Sequence, residues 1–214
     1  MDGKTKGIAA VLLAALGFSG MSVCVHLAGD LPSMQKAFFR NFVALLVTGI
    51  LLIRTHTKPI PRKGSTAGIF FRSLFGTVGI VCNFYAIDRL VLADANMLNK
   101  LSPFFAVLFS AILLKEKPHI VQILGLIVAF VGSIFIIKPT GGYTVWPALV
   151  GATGGLGAGM AYTFVRKLGK NHENGVIIVF WFSVFSCLVC LPFLILSAVP
   201  MTLFQVLSLI GAGI

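Results

Sequence analysis

The chain has 214 residues, of which 57% are hydrophobic and 11% are charged, with a mean hydropathy of +0.99. Soluble domains carry about 25% charged residues, so this composition excludes an ordinary soluble domain and indicates a multi-pass membrane protein. The net charge of +11 would fit a nucleic-acid-binding protein, but the distribution of the basic residues indicates membrane topology instead.

Seven apolar stretches have the length of about 17 to 25 residues that a membrane-spanning helix needs. We predict crossings, in chain order, at Gly7–Ala28, Met34–Ile53, Gly64–Ile87, Leu90–Leu114, Pro118–Ile137, Tyr143–Val165 and Gly175–Ala198. An eighth stretch begins at Met201 and is too short to span before Ile214. We therefore expect a truncated form of a longer protein, with a short re-entrant segment as the alternative.

The basic residues lie mainly in alternate loops. Eleven of the 17 precede the first predicted helix or follow the second, fourth and sixth. The opposite loops hold Arg89 and Lys138, with Lys36 at a helix entrance. By the positive-inside rule, the amino terminus is cytoplasmic and the protein lies in an inner or plasma membrane. We expect the lipid bilayer and a small solute as partners, and no nucleic acid.

Two segments of the chain resemble each other. "LGFSGMSVCVHL" (Leu16–Leu27) is similar to "LGAGMAYTFVRKL" (Leu156–Leu168), with Gly20 and Met21 matching Gly159 and Met160. Because five crossings separate their starts, the two segments run in opposite directions through the membrane. The pattern is typical of inverted repeats in transporters.

Gly151, Gly155 and Gly159 fall on one face of the sixth predicted helix. This spacing permits close approach of another helix. The partner is either a helix of the same subunit or a second copy of the chain in a homodimer.

The fourth predicted helix carries polar residues in its interior. Asn96, Asn99, Lys100 and Pro103 follow helical spacing and would share one stripe. A lysine at mid-depth costs about 2.5–3.5 kcal/mol unless a partner or a water-filled cavity relieves it. We expect Lys100 to contact a substrate in a cavity; the alternative is a fixed salt bridge with Asp94 or another acid.

Arg40 and Asp94 lie at similar predicted depth, so they could form an ion pair that is either structural or part of a gate. We expect Arg72, nearer the cytoplasmic end of its helix, to reach the interface by snorkelling, and Lys36 to do the same. Counting Arg40, Arg72 and Lys100 against Asp94 gives a cationic interior. An anionic or zwitterionic substrate is therefore expected, with Asp94 as a candidate for proton coupling.

Signatures of an enzyme or a metal site are absent from the sequence, which has no GxSxG, GxxxxGK[ST] or HExxH motif. Cys187 and Cys190 form a C-x-x-C pair without a second pair or a nearby histidine, so we expect them to pack as small apolar residues. No catalytic residue, metal site or cofactor is predicted.

The order of these features resembles the EamA-like family of the drug/metabolite transporter superfamily. The resemblance rests on four segments, "AALGFSGMSV", "AFFRNFVALLV", "LADANMLNKLSPFFAVLFSAILLKEK" and "GLIVAFVGSIFIIKP". It implies ten helices in two inverted five-helix repeats around a central cavity, and alternating-access movement of small organic solutes, often export. In this chain, residues 1–138 would form a complete first repeat and residues 139–214 a partial second repeat.

We therefore predict an all-α polytopic secondary transporter for a small polar organic metabolite. Its predicted substrate contacts are Lys100, Asn96, Asn99 and Arg40, with Asp94 and Arg40 as candidates for gating or coupling. The alternative is a non-transporting interaction or regulatory module of the membrane, which would tolerate replacement of Lys100 by an apolar residue.

Overall fold

The computed structural model describes residues 3–115, 118–137 and 145–213. These ranges contain α-helices and no strands, as expected where a backbone in lipid must satisfy its own hydrogen bonds. In chain order the helices are α1 (Gly3–Leu27), α2 (Ser33–Arg54), α3 (Thr66–Arg89), α4 (Leu92–Asn99), α5 (Ser102–Leu113), α6 (Ile120–Ile137), α7 (Val145–Lys170), α8 (Gly175–Ser197) and α9 (Leu203–Gly213).

The predicted all-helical membrane class is confirmed. Within the described residues, six spans are long and apolar enough to cross a bilayer, counting Leu92–Leu113 as one span, while Leu203–Gly213 is shorter. The chain is a multi-pass membrane protein. The predicted boundary between residues 1–138 and 139–214 lies outside the described residues, together with Lys138.

The fourth predicted crossing is interrupted at its centre. Between α4 and α5, the Lys100 N–H donates to Met97 O as well as Asn96 O, and the Leu101 N–H donates to Leu98 O at 3.1 Å. These shorter-range bonds form a tight turn. Pro103 follows at the start of α5, where its missing N–H cannot bond to the Asn99 carbonyl, and this favours the interruption.

We call the side on which α1 begins the near side and the opposite side the far side. On the near side, the backbone N–H of Arg62 donates to Glu173 Oε2 at 3.0 Å, and Trp181 Nε1 donates to the carbonyl of Pro59 at 3.0 Å. These bonds join the α2–α3 loop to the α7–α8 loop and the first turns of α8. The positive-inside rule predicts that this side is cytoplasmic.

The far side is joined by two glutamine side chains. Gln35, at the start of α2, donates through Nε2 to Val199 O at 2.8 Å and accepts from Val199 N at 3.0 Å. Gln205, in α9, donates through Nε2 to the carbonyl of Ala28 at 3.1 Å. The far ends of α1, α2, α8 and α9 are therefore connected by hydrogen bonds between distant parts of the chain.

Helices α3 and α7 pack backbone against backbone. A Cβ atom added at Gly79 of α3 would lie 2.9 Å from the backbone nitrogen of Ala158, and one added at Gly157 would lie 3.0 Å from the carbonyl of Phe75. Only glycine permits this separation. The contact holds one wall of the central cavity described below.

The face formed by Gly151, Gly155 and Gly159 packs within the chain. A Cβ atom at Gly155 would lie 2.7 Å from Leu98 O, and one at Gly159 would lie 2.8 Å from Ser102 O. Helices α4 and α5 therefore cover the glycine face, which corrects the alternative in which it contacts a second copy. The possibility of a homodimer stays a prediction.

Candidate functional site

A cavity of about 490 Å³ lies among α1, α2, α3, α4, α7 and α8. Its volume falls in the range of about 300–1,000 Å³ that is typical of small-molecule sites. Apolar residues and glycines form much of the wall. The polar lining residues are Arg40, Arg72, Asn83, Asn99 and Tyr162.

Arg40 is held in the cavity wall by its sequence neighbour. Its Nη1 donates to Asn41 Oδ1 at 2.9 Å. Asn41 is fully buried, and its Nδ2 donates to Ala37 O at 2.8 Å and to Ser186 Oγ at 2.9 Å, so the orientation of its amide is fixed. The buried Arg40 Nε has no hydrogen-bond partner among the described residues.

Arg72 lines the same cavity from α3. Its guanidinium carbon lies 3.9 Å from the centroid of the Phe182 ring, a cation–π contact with α8. Its Nε is buried and, in the described part of the chain, has no hydrogen-bond partner. The prediction that Arg72 only snorkels to the interface is wrong, because the side chain turns inward and stacks on an aromatic ring.

The two arginines make the cavity strongly cationic. Both guanidinium groups line the same cavity, and none of the described lining residues is acidic. The remaining polar groups are neutral: Asn83 is buried, Asn99 is half-buried, and Tyr162 is 46% exposed. The cavity can therefore offer two positive charges and several neutral hydrogen-bonding groups to a ligand.

The predicted polar stripe divides at the interruption between α4 and α5. Asn99, the last residue of α4, lines the cavity, whereas Asn96 and Lys100 are not among its described lining residues. Lys100 is exposed and Asn96 is half-buried. The prediction that these residues share one stripe assumed an unbroken helix. The tight turn at Lys100 and Leu101 changes the direction in which successive side chains leave the backbone.

Of the predicted site residues, the structure brings Arg40 and Asn99 into one cavity. Asp94 is 4% exposed and lies in the first turn of α4. It is not among the described lining residues. Its predicted pairing with Arg40 and its role in gating or coupling stay predictions.

An ion pair between a buried lysine and a partly exposed aspartate joins α2 to α3, and it was not predicted from the sequence. Lys36 Nζ lies 2.5 Å from Asp88 Oδ1, and Ser33 Oγ donates to Asp88 Oδ2 at 2.7 Å. Lys36 is 0% exposed, so the prediction that it snorkels to water is wrong. The carboxylate of Asp88, which is 52 residues away in sequence, compensates the buried ammonium.

The cysteine pair contributes to packing. Cys190 is fully buried in an apolar cluster with Ala37 and Phe84, and Cys187 Sγ contacts the carbonyl of Phe38 at 3.9 Å. Across the residues that the structure describes, no group of three or more His, Cys, Asp or Glu side chains could hold a metal ion.

Comparison with known proteins places these features in a family of transporters. The chain is 34% identical to the pseudopaline exporter CntI of Pseudomonas aeruginosa over 219 aligned residues, which cover 100% of the chain and 75% of that protein. It is 27% identical to a riboflavin transporter of Brucella anthropi, over 77% of the chain and 58% of the relative. It is also 31% identical to mouse solute carrier family 35 member G1, over 62% of the chain and 36% of the relative.

The family model of the EamA-like transporter family matches residues 5–138. This range includes nearly all of α1, the whole of α2 to α6, and four of the five polar cavity residues, which lie in α2, α3 and α4. The family match covers more than half of the chain, and the alignment with the exporter covers the whole chain. The chain therefore belongs to the EamA-like transporter family.

Proposed function

We propose that the chain acts as a secondary transporter that moves a small polar organic metabolite, anionic or zwitterionic, across the membrane by alternating access, in the direction of export. The observation that carries this proposal is the pair Arg40 and Arg72, which line one cavity that has no acidic residue among its described lining residues. Relatives named as an exporter and a transporter support movement of a solute.

Two guanidinium groups in the membrane interior are costly unless their charges are compensated. A buried polar donor without an acceptor costs about 1–3 kcal/mol, and more when it is charged. A carboxylate or phosphate group that enters the cavity would supply acceptors in the planar geometry that guanidinium groups favour. The cavity is therefore expected to select for negatively charged groups over cationic ones.

The proposal assigns the first substrate contacts to Arg40 and Asn99, the two predicted residues that line the cavity. Lys100 and Asn96 remain proposed contacts at the adjoining helix interruption. Asp94 remains the proposed gating or coupling residue, acting with Arg40.

The packing of the helices supports the proposed inverted repeat. In the proposed repeat, α1 corresponds to α7, α2 to α8 and α3 to α9. A two-fold rotation that exchanges corresponding helices turns the α3–α7 contact into the α9–α1 contact. It likewise converts the α2–α9 contact into the α8–α3 contact and leaves α2–α8 unchanged. All five contacts occur, which supports a two-fold relationship between the repeats, although the α2–α3 contact has no α8–α9 counterpart of similar extent among the described residues.

Alternating access also needs a barrier on one side of the cavity. On each of four helices, a residue of one apolar cluster lies between the cavity residues and the far end: Val25, Ala37, Phe84 and Cys190. The hydrogen bonds of Gln35 and Gln205 lie beyond this cluster. We propose that the cluster is the far-side barrier, which separates when the carrier opens in that direction.

The test is a counterflow assay on purified protein in liposomes, with a panel of labelled anionic, zwitterionic and cationic metabolites. The expected result is exchange of an anion or a zwitterion that Arg40→Gln abolishes. Arg54→Gln is the matched control, because Arg54 ends the same helix at an exposed position. Exchange confined to cations, or full activity of Arg40→Gln, would refute the proposal.

A further inference from the structure

We infer that the cavity takes a solute with at least two anionic groups, a dicarboxylate in its simplest form, with one group at Arg40 and the other at Arg72. This inference rests on the proposed transport function and adds the charge of the solute and the two residues that read it. The cavity provides two separate guanidinium groups, each presented by a different helix.

The charges of the cavity wall favour a solute with two negative charges. The described lining residues include two arginines and no carboxylate. A monoanion would neutralise one guanidinium group and leave the other as an uncompensated charge in the membrane interior, which is costly. A dianion neutralises both.

Each guanidinium group is held in position by another side chain. The Phe182 ring lies 3.9 Å from the guanidinium carbon of Arg72 and holds this group at the cavity wall by a cation–π contact. Arg40 uses Nη1 to bond Asn41, whose amide is held by Ala37 and Ser186. Both arginines line the cavity, so each guanidinium group can bind one carboxylate through N–H groups other than its buried Nε.

The cavity wall suits a dianion better than a zwitterion of zero net charge. The ammonium group of a zwitterion would require a carboxylate in the wall, and the described lining residues provide none. Asn83, Asn99 and Tyr162 are neutral groups that suit hydroxyl, amide or carbonyl groups in the middle of a solute. The solute is therefore negatively charged overall.

The experiment compares isosteric ligands on the same protein. Succinate and succinamate differ only in that one carboxylate is replaced by a carboxamide, and the series from malonate to adipate varies the distance between the two anionic groups. Dissociation constants are measured by calorimetry on the detergent-purified chain. We expect at least one dicarboxylate to bind at least tenfold more tightly than its monoamide.

Two variants test the assignment of the residues. Arg40→Gln and Arg72→Gln should each weaken the dicarboxylate at least tenfold and bring its affinity close to that of the monoamide. Arg54→Gln should leave both affinities unchanged. Circular dichroism and gel filtration check that the variants fold, and the comparison of the two ligands on the parent protein requires no variant.

The outcomes distinguish this inference from the function on which it rests. If monocarboxylates or neutral zwitterions bind as tightly as every dicarboxylate, the inference is overturned while the transport function stands. If no dicarboxylate of the series binds, the inference is also overturned. If, in addition, no anion or zwitterion of the wider panel is exchanged in liposomes, the proposed function fails as well.

Discussion

Replacing Asp88 with asparagine should destabilise the fold more than replacing its partner Lys36 with methionine. The two groups form an ion pair, but their side chains differ in exposure, with 1% for Lys36 and 21% for Asp88. Removing the carboxylate leaves a buried ammonium without compensation. Removing the ammonium leaves a carboxylate that still reaches solvent and still accepts a hydrogen bond from Ser33.

The magnitudes follow from this asymmetry. Breaking a buried ion pair from the side that leaves the buried charge alone costs about 3–5 kcal/mol. The loss of one charged hydrogen bond, about 1.5–3 kcal/mol, is the upper limit for Lys36→Met. Adding Lys36→Met to Asp88→Asn should recover most of the loss caused by Asp88→Asn alone, because the buried ammonium that lacked a partner is removed.

The assay is equilibrium unfolding in detergent micelles by circular dichroism, carried out on the parent, the two single variants and the double variant. The four free energies of unfolding form a double-mutant cycle. Equal losses for the two single variants would refute the reasoning from exposure. A double variant as unstable as the sum of the single losses would show that the two side chains are not coupled.

Three further predictions concern packing, topology and the predicted substrate contact. Gly79→Ala should lower the free energy of unfolding by about 1–3 kcal/mol, because the added Cβ would meet the backbone of Ala158. Gly17→Ala is the control, since open space surrounds Gly17 and the change should not destabilise the fold. Thermal unfolding compares the stability of the two variants with that of the parent, and equal stability would contradict the prediction. A cysteine at Ile60, which is 68% exposed in the near-side loop, should resist impermeant maleimides added to intact cells, and ready labelling would invert the topology. Lys100→Ala should weaken binding of an anionic solute severalfold in calorimetry without unfolding the protein, and unchanged affinity would remove Lys100 from the site.

The helices and the family could be read from the sequence because both depend on local properties. Apolar stretches of sufficient length must become helices in lipid. Within the described residues, each predicted crossing coincides with a helix except the fourth, which is divided into α4 and α5, and six spans are long and apolar enough to cross. The structure brings Arg40 and Asn99, two of the predicted substrate contacts, into one cavity, and their role in binding stays a prediction.

The errors have a common physical origin. Depth along a helix was used to judge whether a cation reaches water, and this placed Lys36 and Arg72 at the interface. In the structure, Asp88 from another helix compensates Lys36, and Phe182 from α8 receives Arg72. The partner of a side chain depends on which helices are neighbours, and helix positions in the sequence do not contain that information.

The sequence by itself determined the membrane class, the number and bounds of most helices and the family, because each is encoded in composition, apolar length or motif order along the chain. Only the tertiary structure decided which polar residues share the cavity and which helices cover the glycine face. It also decided that Lys100 lies on the exposed surface. These outcomes depend on the interruption between α4 and α5 and on the close backbone approach of α3 and α7, since side-chain direction and helix neighbours are set by packing in three dimensions.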